Sequence, residues 1–528
     1  MKLSFIGLSG FQTFDKLVAI PVSRITTLFG PNSAGKSAVR DAVDAFWRVI
    51  GNKDGTALFN LPDGGTKIFE ALRADWRRTG ASNRDYASSL TIALGFNGTF
   101  VSPTDGRDIV DPVVLLVANL AWRKEEPDVS FGFVITDKDR FRDSEPRKPI
   151  FFRNNQEIDV QEWYVWDAEE HTAISGQCGI PGVMNCSYMK LSADDTLQAG
   201  ADDWLWPLTP INREMLGGYT DFIRPLSQYV SQANLVFRSL LNELRIASHQ
   251  VFVPASRTVP TAADLKFLIL PSRLQRLAIS IEANGLPEYQ TLAVACFALA
   301  NDAKPDAALC PARDLTRAQA VNRQLSESLF SERGYRLDVG YALLVSQNDE
   351  GTLAGRATRP RALPDRNNGV LLQLQLADAE GRRFQFTDVG SGLGYVLPVL
   401  LAANAPSGVA FIQQPELHLH PALQSSLADA FIEASSQSDD DSTAQLIIET
   451  HSEHIILRML RRIRQTTNGT LPSPELALTP SEISVVYFDP KPDGTTEVKT
   501  LAVTADGDFT DRWPRGFFNE RDVDLFDE

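Results

Sequence analysis

The run Gly30-Pro31-Asn32-Ser33-Ala34-Gly35-Lys36-Ser37 brings glycines, an ammonium and a hydroxyl into one short stretch. Its spacing fits GxxxxGK[ST]. Glycines at the two ends let the backbone fold back so that successive N–H groups point inward, and a helix N-terminus beyond them adds partial positive charge. A concave row of donors of this kind suits a phosphate. Lys36 would reach the β- and γ-phosphates of a nucleotide, and the Ser37 hydroxyl would sit on Mg2+. Gly30, Asn32, Ser33, Gly35, Lys36 and Ser37 are therefore the candidate nucleotide-binding residues, with ATP and Mg2+ as the candidate ligands. The flanking elements agree. Ile25 to Phe29 is an apolar run with the length of a buried strand, and Ser37 to Ile50 has helical composition.

A second set of chemically suggestive residues lies far along the chain. Phe384-Gln385-Phe386 reads as a strand running into Thr387 to Tyr395, with glycines at 390, 392 and 394, ahead of an apolar helix from Val396 to Ala403. Gly408 to Ile412 has the brevity of a central parallel strand and ends in Gln413-Gln414-Pro415-Glu416-Leu417-His418-Leu419-His420-Pro421. A helix (Ala422 to Ala434) and an acidic loop (Asp439 to Asp441) follow. The strand Ala444 to Ile448 then ends in Glu449-Thr450-His451-Ser452. Ligands of open α/β sheets sit at the carboxyl ends of strands, where the glycine-rich loop, the Gln413–Glu416 turn and His451 are all expected. His418 and His420 read either as a metal pair or as structural hydrogen-bonding residues.

These sites need a scaffold. At 528 residues the chain exceeds what one core supports, and usual domain sizes suggest about three. Hydrophobic content of 43% and charged content of 22% suit a globular protein. No apolar run approaches the ~20 residues that span a bilayer, and Met1 to Phe5 has no signal core, so a cytoplasmic location and no membrane partner are expected. Cys178, Cys186, Cys296 and Cys310 form no CxxC pair and read as buried thiols. A net charge of -16 leaves nucleic acid only a local basic strip to contact. Candidates are the loop with Arg356, Arg359, Arg361 and Arg366, and the helix after His451 with Arg458, Arg461, Arg462 and Arg464. The other reading is a solvated loop and a solvated helix face paired with Glu453.

Elsewhere, Leu3 to Leu8 and Lys16 to Ile20 read as a small antiparallel element feeding the strand Ile25 to Phe29 before the loop. Asp54 to Gly65 reads as a loop, Lys67 to Trp76 as helix, and Ser89 to Phe96 and Val113 to Ala121 as strands. Residues 101–210 are strand-prone, and Trp163 to Trp166 reads as a packed strand or a base-stacking surface. Residues 215–330 read as helical, with a long helix from Tyr219 to Ala247, a short strand at Val251 to Pro254, helices over Ala262 to Asp302 with a break near Asn284 to Pro287, and another over Ala312 to Phe330. Tyr335 to Ser346 returns to strand.

Taken in order, the motifs resemble the ABC-type ATPases of the chromosome-maintenance, RecF-like and OLD-nuclease group. The matching residues are the loop at 30–37, a signature turn at Gly390-Ser391-Gly392, a Walker B strand ending near Gln413, the run Pro415 to Pro421, and a switch histidine in Thr450-His451-Ser452. Val253-Pro254-Ala255-Ser256-Arg257 and Trp513 to Phe518 are similar to the same group. The Pro415 to Pro421 run resembles compact bacterial ATPases of antiphage defence operons. The implied fold is α/β, an ABC-type ATPase head with a mixed or parallel sheet, flanking helices and an antiparallel N-terminal element, plus an inserted α+β or helical lobe. The implied divisions are 1–100 and 335–470 for the two halves of the head, 101–334 for the insert, and 471–528 for a C-terminal strand and tail.

The resemblance further implies a homodimer or higher even oligomer with ATP sandwiched between chains. Ser391 and Gly392 of one chain would touch the γ-phosphate held by Lys36 of the other, and His451 would sense it. Gln413, Gln414 and His451 occupy the catalytic positions, and Ser37 and Gln413 the metal positions. Both Walker B acid positions are amides, so metal binding should weaken and proton acceptance should fail. That pattern reads as a substitution that traps ATP, as a slow ATPase, or as an ATP-gated clamp. The stretch after His451 is expected to be too short for an OLD-type nuclease domain, which would place any nuclease on a separate effector chain. The implied function is an ATPase subunit of a bacterial antiphage system that senses phage or DNA and controls that effector. The alternatives are a DNA-repair or chromosome-maintenance clamp acting on DNA, and a nucleotide-locked scaffold.

Overall fold

A computed structural model of the protein describes residues 1–14, 18–50, 89–98, 243–269, 287–300, 312–344, 369–405, 407–436 and 444–510, with short strands between 100 and 191. Strands β1 (Lys2–Ser9) and β2 (Val18–Pro21) precede β3 (Ile25–Phe29), the glycine-rich loop and helix α1 (Ala38–Ile50). β4 (Ser89–Asn97), β5 (Pro112–Arg123) and β6 (Glu126–Asp137) then join β1, β2 and the segment Met189–Leu191 in a six-stranded antiparallel sheet.

The second six-stranded sheet is assembled from distant parts of the chain. It contains β7 (Gln250–Val253), β12 (Val409–Gln413), β13 (Gln445–Glu449), β3, β14 (Ile483–Pro490) and β15 (Thr496–Leu501), in that spatial order. Every neighbouring pair from β7 to β14 is parallel, and only β15 is antiparallel, at the edge. The expected α/β fold with a mixed sheet and an antiparallel N-terminal element is what the chain forms. β3, β12 and β13 are apolar on both faces, as parallel strands between helices must be; Leu28, Phe29, Phe411, Ile412, Leu446 and Ile448 are fully buried.

A third, smaller sheet contains β8 (Lys266–Ile269), β9 (Arg336–Leu344), β10 (Gly369–Ala377) and β11 (Arg383–Phe384). β8 falls where sequence alone indicated helix, because a short apolar run does not distinguish the two. β7, within the stretch read as an insert, completes the edge of the parallel sheet. Helices α2 (Pro287–Ala300), α3 (Ala312–Arg323), α4 (Ser391–Ala403), α5 (Pro421–Ser436) and α6 (Glu453–Thr467) contribute to one core with that sheet. Val165 and Trp166, from the stretch read as a packed strand or a stacking surface, lie in a short strand, Val165–Asp167, paired antiparallel with Thr172–Ile174. The expected elements over 54–76 and 219–242, the Arg356–Arg366 loop, Cys178, Cys186, Cys310 and Trp513 to Phe518 lie outside the described residues. Cys296 is buried.

Two polar links tie the layers. The Gln445 side chain pairs with β1 in both senses, accepting from Leu3 N at 2.8 Å and donating to Leu3 O at 2.8 Å. Asp429 on α5 receives Arg462 of α6 in a two-pronged contact at 2.7 Å on each oxygen, and Arg458 Nε at 3.0 Å. Removing one partner of a buried ion pair strands the other charge, at a cost of roughly 3–5 kcal/mol. Asp429→Ala is therefore expected to destabilise the protein by about that amount, read as a lower denaturation midpoint in urea.

Candidate nucleotide site

The loop between β3 and α1 is shaped by close approaches. Gly30 has φ 140° and Gly35 φ 85°. A Cβ at Gly30 would lie 2.4 Å from the Phe488 carbonyl of β14, and one at Gly35 would lie 2.4 Å from Thr13 Oγ1. The loop is braced from β15, where Thr496 Oγ1 donates to Ala34 O at 3.0 Å. Asn32 and Ser33 stand exposed at its tip, Ser33 with φ 65°. Lys36 is only 3% exposed, and its Nζ donates to the carbonyls of Gly30 and Pro31 at 2.8 Å each. Burial pulls the Lys36 ammonium below its ordinary pKa, and the nearby Glu449 and Glu416 carboxylates oppose that pull.

At the carboxyl edge of the sheet, parallel register sets Gln413 of β12 beside Glu449 of β13, and Glu449 beside Leu28 of β3. The Glu449 carboxylate accepts from Ser37 Oγ at 3.1 Å and from Gln413 Nε2 at 3.0 Å, and stands 3.9 Å from Lys36 Nζ. Gln413 Nε2 also donates to Ser37 Oγ at 2.9 Å. The expected metal positions, Ser37 and Gln413, are thus brought together with a carboxylate between them. Sequence reasoning did not single out Glu449. An acid closing the short apolar strand ahead of Thr450-His451-Ser452 was the available signal.

Beyond Gln413 the chain turns sharply, with Gln414 at φ 43° and its N–H donating to Glu449 O at 2.6 Å. Arg257, just after β7, holds this turn. Its guanidinium donates to the carbonyls of Gln413, Gln414 and Pro415 at 3.1, 3.1 and 3.2 Å, and to Tyr395 O of α4 at 3.0 Å. Glu416 faces the next loop, accepting from Thr450 Oγ1 at 2.8 Å and from His451 N at 2.7 Å. Burial raises the Glu416 pKa, and these hydrogen bonds restrain the rise. His451 Nε2 is buried without a hydrogen-bond partner. Its imidazole is held below the ordinary histidine pKa by burial and then by the Lys36 charge.

The remaining candidates sit apart from this cluster. Gly390 precedes α4, which starts at Ser391, and a Cβ on Gly392 would meet His418 O and Leu419 at 3.3 Å. His418 stacks on Tyr395 with ring centres 4.3 Å apart, and His420 Nδ1 accepts from Ala422 N at 3.3 Å. The two histidines take the structural alternative. On α6, Arg458 and Arg462 are bound to Asp429, and Arg464 donates to Asp506 O and Gly507 O. Arg461 and Arg464 are the exposed arginines of that helix.

Residues 300–457 match the family model described as "AAA domain, putative AbiEii toxin, Type IV TA system". No curated protein matches the chain. Among solved structures, an SMC head bound to the C-winged helix domain of ScpA is similar, with 12% identity over 95% of this chain and 98% of that one, at a TM-score of 0.39. The SMC head domain from Thermotoga maritima shows 12% identity over 95% of this chain and 100% of that one, at a TM-score of 0.36. An SMC head with an extended coiled coil, bound to the C-terminal domain of ScpA derived from Pyrococcus furiosus, shows 14% identity over 95% and 96%, also at 0.36. Likeness at this level fixes neither activity nor partner.

The site makes two expectations. Arg257→Lys cannot reproduce the planar fork and gives up charged, buried hydrogen bonds worth ~1.5–3 kcal/mol each, so thermal unfolding should shift down strongly. His451, held below its ordinary value, takes up its proton later in the folded than in the unfolded state. Its contribution to stability is complete above the unfolded pKa of about 6.5 and is lost as pH falls from there through the lowered folded value. Urea midpoints compared at pH 7.5 and below 6 should fall less in His451→Asn than in the unaltered protein.

Proposed function

We propose that this chain is an ATP-binding ATPase subunit that closes head-to-tail with a second copy around nucleotide, and acts as a switch in a bacterial antiphage defence system by controlling a separate effector chain, a nuclease. One observation carries the nucleotide assignment. Lys36, Ser37, Gln413, Glu449 and the unpartnered His451 Nε2 meet at the carboxyl edge of one parallel sheet.

The residues fit the ligand. A triphosphate would replace the Gly30 and Pro31 carbonyls as acceptors for Lys36, a stronger charge-assisted pairing. A neutral His451 with its proton on Nε2 can donate to a γ-phosphate oxygen, which supplies the partner that this buried atom lacks. The Ser37 hydroxyl and Glu449 carboxylate oxygens, with the Gln413 amide donating to both, suit Mg2+; when bound, the ion would neutralise charge on the β- and γ-phosphates. Gln414 has no carboxylate to accept a proton from water, so hydrolysis is slow and the triphosphate state persists.

In this reading Ser391 and Gly392, at the start of α4, contact nucleotide held by a second copy. ATP then becomes part of the interface, and its γ-phosphate biases assembly. The description of the family matched by 300–457 names a toxin–antitoxin system, which supports a partnered bacterial role. The pairing of Arg458 and Arg462 with Asp429 removes part of one candidate strip for a DNA clamp.

Light scattering with and without saturating ATP tests the switch. The unaltered protein should double in mass with ATP, and Lys36→Ala should bind a fluorescent ATP analogue at least about 30-fold more weakly, by the ~2 kcal/mol or more of a charged hydrogen bond, and stay monomeric. An unaltered protein that remains monomeric while saturated with ATP would sink the sandwich reading.

A further inference from the structure

We infer that Glu449 supplies the carboxylate of the Mg2+ site, serving from β13 in place of the acid that β12 lacks at Gln413. The inference rests on the nucleotide site proposed above and names the residue that makes it metal-dependent. Mg2+ in phosphate-bound sites is held by one or two carboxylates together with substrate oxygens. The loop hydroxyl that would face the ion, Ser37 Oγ, already donates to Glu449 Oε2 at 3.1 Å. Other acids nearby are engaged elsewhere. Both oxygens of Glu416 accept from Thr450 and His451, and Asp41 accepts from Gln12 and pairs with Arg40.

The exchange of the acid between strands is a consequence of register. Paired residues on neighbouring parallel strands direct their side chains to the same face, one strand spacing of about 4.8 Å apart. Gln413 and Glu449 are such a pair, so a glutamate reaching sideways from β13 covers the position expected of an acid on β12. Gln413 becomes a positioning residue. Its amide donates to Glu449 Oε2 at 3.0 Å and to Ser37 Oγ at 2.9 Å. A second acid at 413 would oppose Glu449 with like charge, whereas an amide orients it, as outer hydrogen bonds orient metal ligands elsewhere. Lys36, 3.9 Å from Glu449 Oε1, balances the charge on the other side.

The test is the ratio of affinities for a fluorescent ATP analogue measured with Mg2+ and with EDTA, on the full chain. In the unaltered protein Mg2+ should strengthen binding. Glu449→Gln should lower that ratio about 10- to 100-fold, the scale seen when a metal's supporting groups are lost. Its metal-free affinity should not fall, because a negative charge beside the triphosphate has been removed. Moving the charge with Gln413→Glu in the Glu449→Gln background should restore the ratio. Should Glu449→Gln not fold, Glu449→Asp, which withdraws the carboxylate by one methylene, must lower the ratio. An unchanged ratio, or equal losses with and without metal, overturns the assignment while leaving nucleotide binding intact. No binding by the unaltered protein under either condition overturns the nucleotide site and this inference together.

Discussion

The insertion of β13 between β12 and β3, parallel to both, is the constraint on which the site depends. It brings the end of β3, at Phe29, to one edge with the ends of two strands hundreds of residues later in the chain, at Gln413 and Glu449. The loop after β3 then faces the turn after β12, and Glu449 falls between Ser37 and Gln413. Apolar burial on both faces of these strands drives the arrangement, at about 25 cal/mol per Å2 removed from water, and the ladder hydrogen bonds fix its register. A slip of one residue along β13 would turn Glu449 to the other face of the sheet.

Around this edge, charge is held by neighbouring groups of the same chain. Arg257 spends its guanidinium on backbone carbonyls, holding the strained turn at Gln414 and linking it to α4 through Tyr395 O. Glu416 does the converse, gathering donors from Thr450 and the His451 backbone. The turn after β12 is therefore gripped by a cation on one side and joined by an anion to the histidine loop on the other. Movement of α4 would be felt at Gln413 through a short, continuous hydrogen-bonded path. His451 Nε2 is left outside this satisfied network, a cost of roughly 1–3 kcal/mol for a buried polar atom that a phosphate oxygen would relieve.

Much of this was legible because it is local. A glycine-rich loop after an apolar run and before a helical stretch needs no knowledge of the remaining chain. β3, β12, β13, α1, α5 and α6 have lengths and apolar patterns that match their burial. β8 was illegible because a short apolar run suits helix and strand alike. β7 was read as a strand but not as the edge of the central sheet, because its partner β12 is remote in sequence. Arg458 and Arg462 of α6 looked available because Asp429, their partner, lies on another helix.

The amino-acid sequence by itself determined the phosphate loop, the strands that end in Gln413 and Glu449, and the absence of an acid at the end of β12, because each is a property of adjacent residues. Only the tertiary structure decided what that absence means. Parallel register places the Glu449 carboxylate against Ser37, and the Gln413 amide becomes its donor. Side-chain charge at a site is set by which strand ends meet there, and that is a property of pairing between segments far apart in the chain.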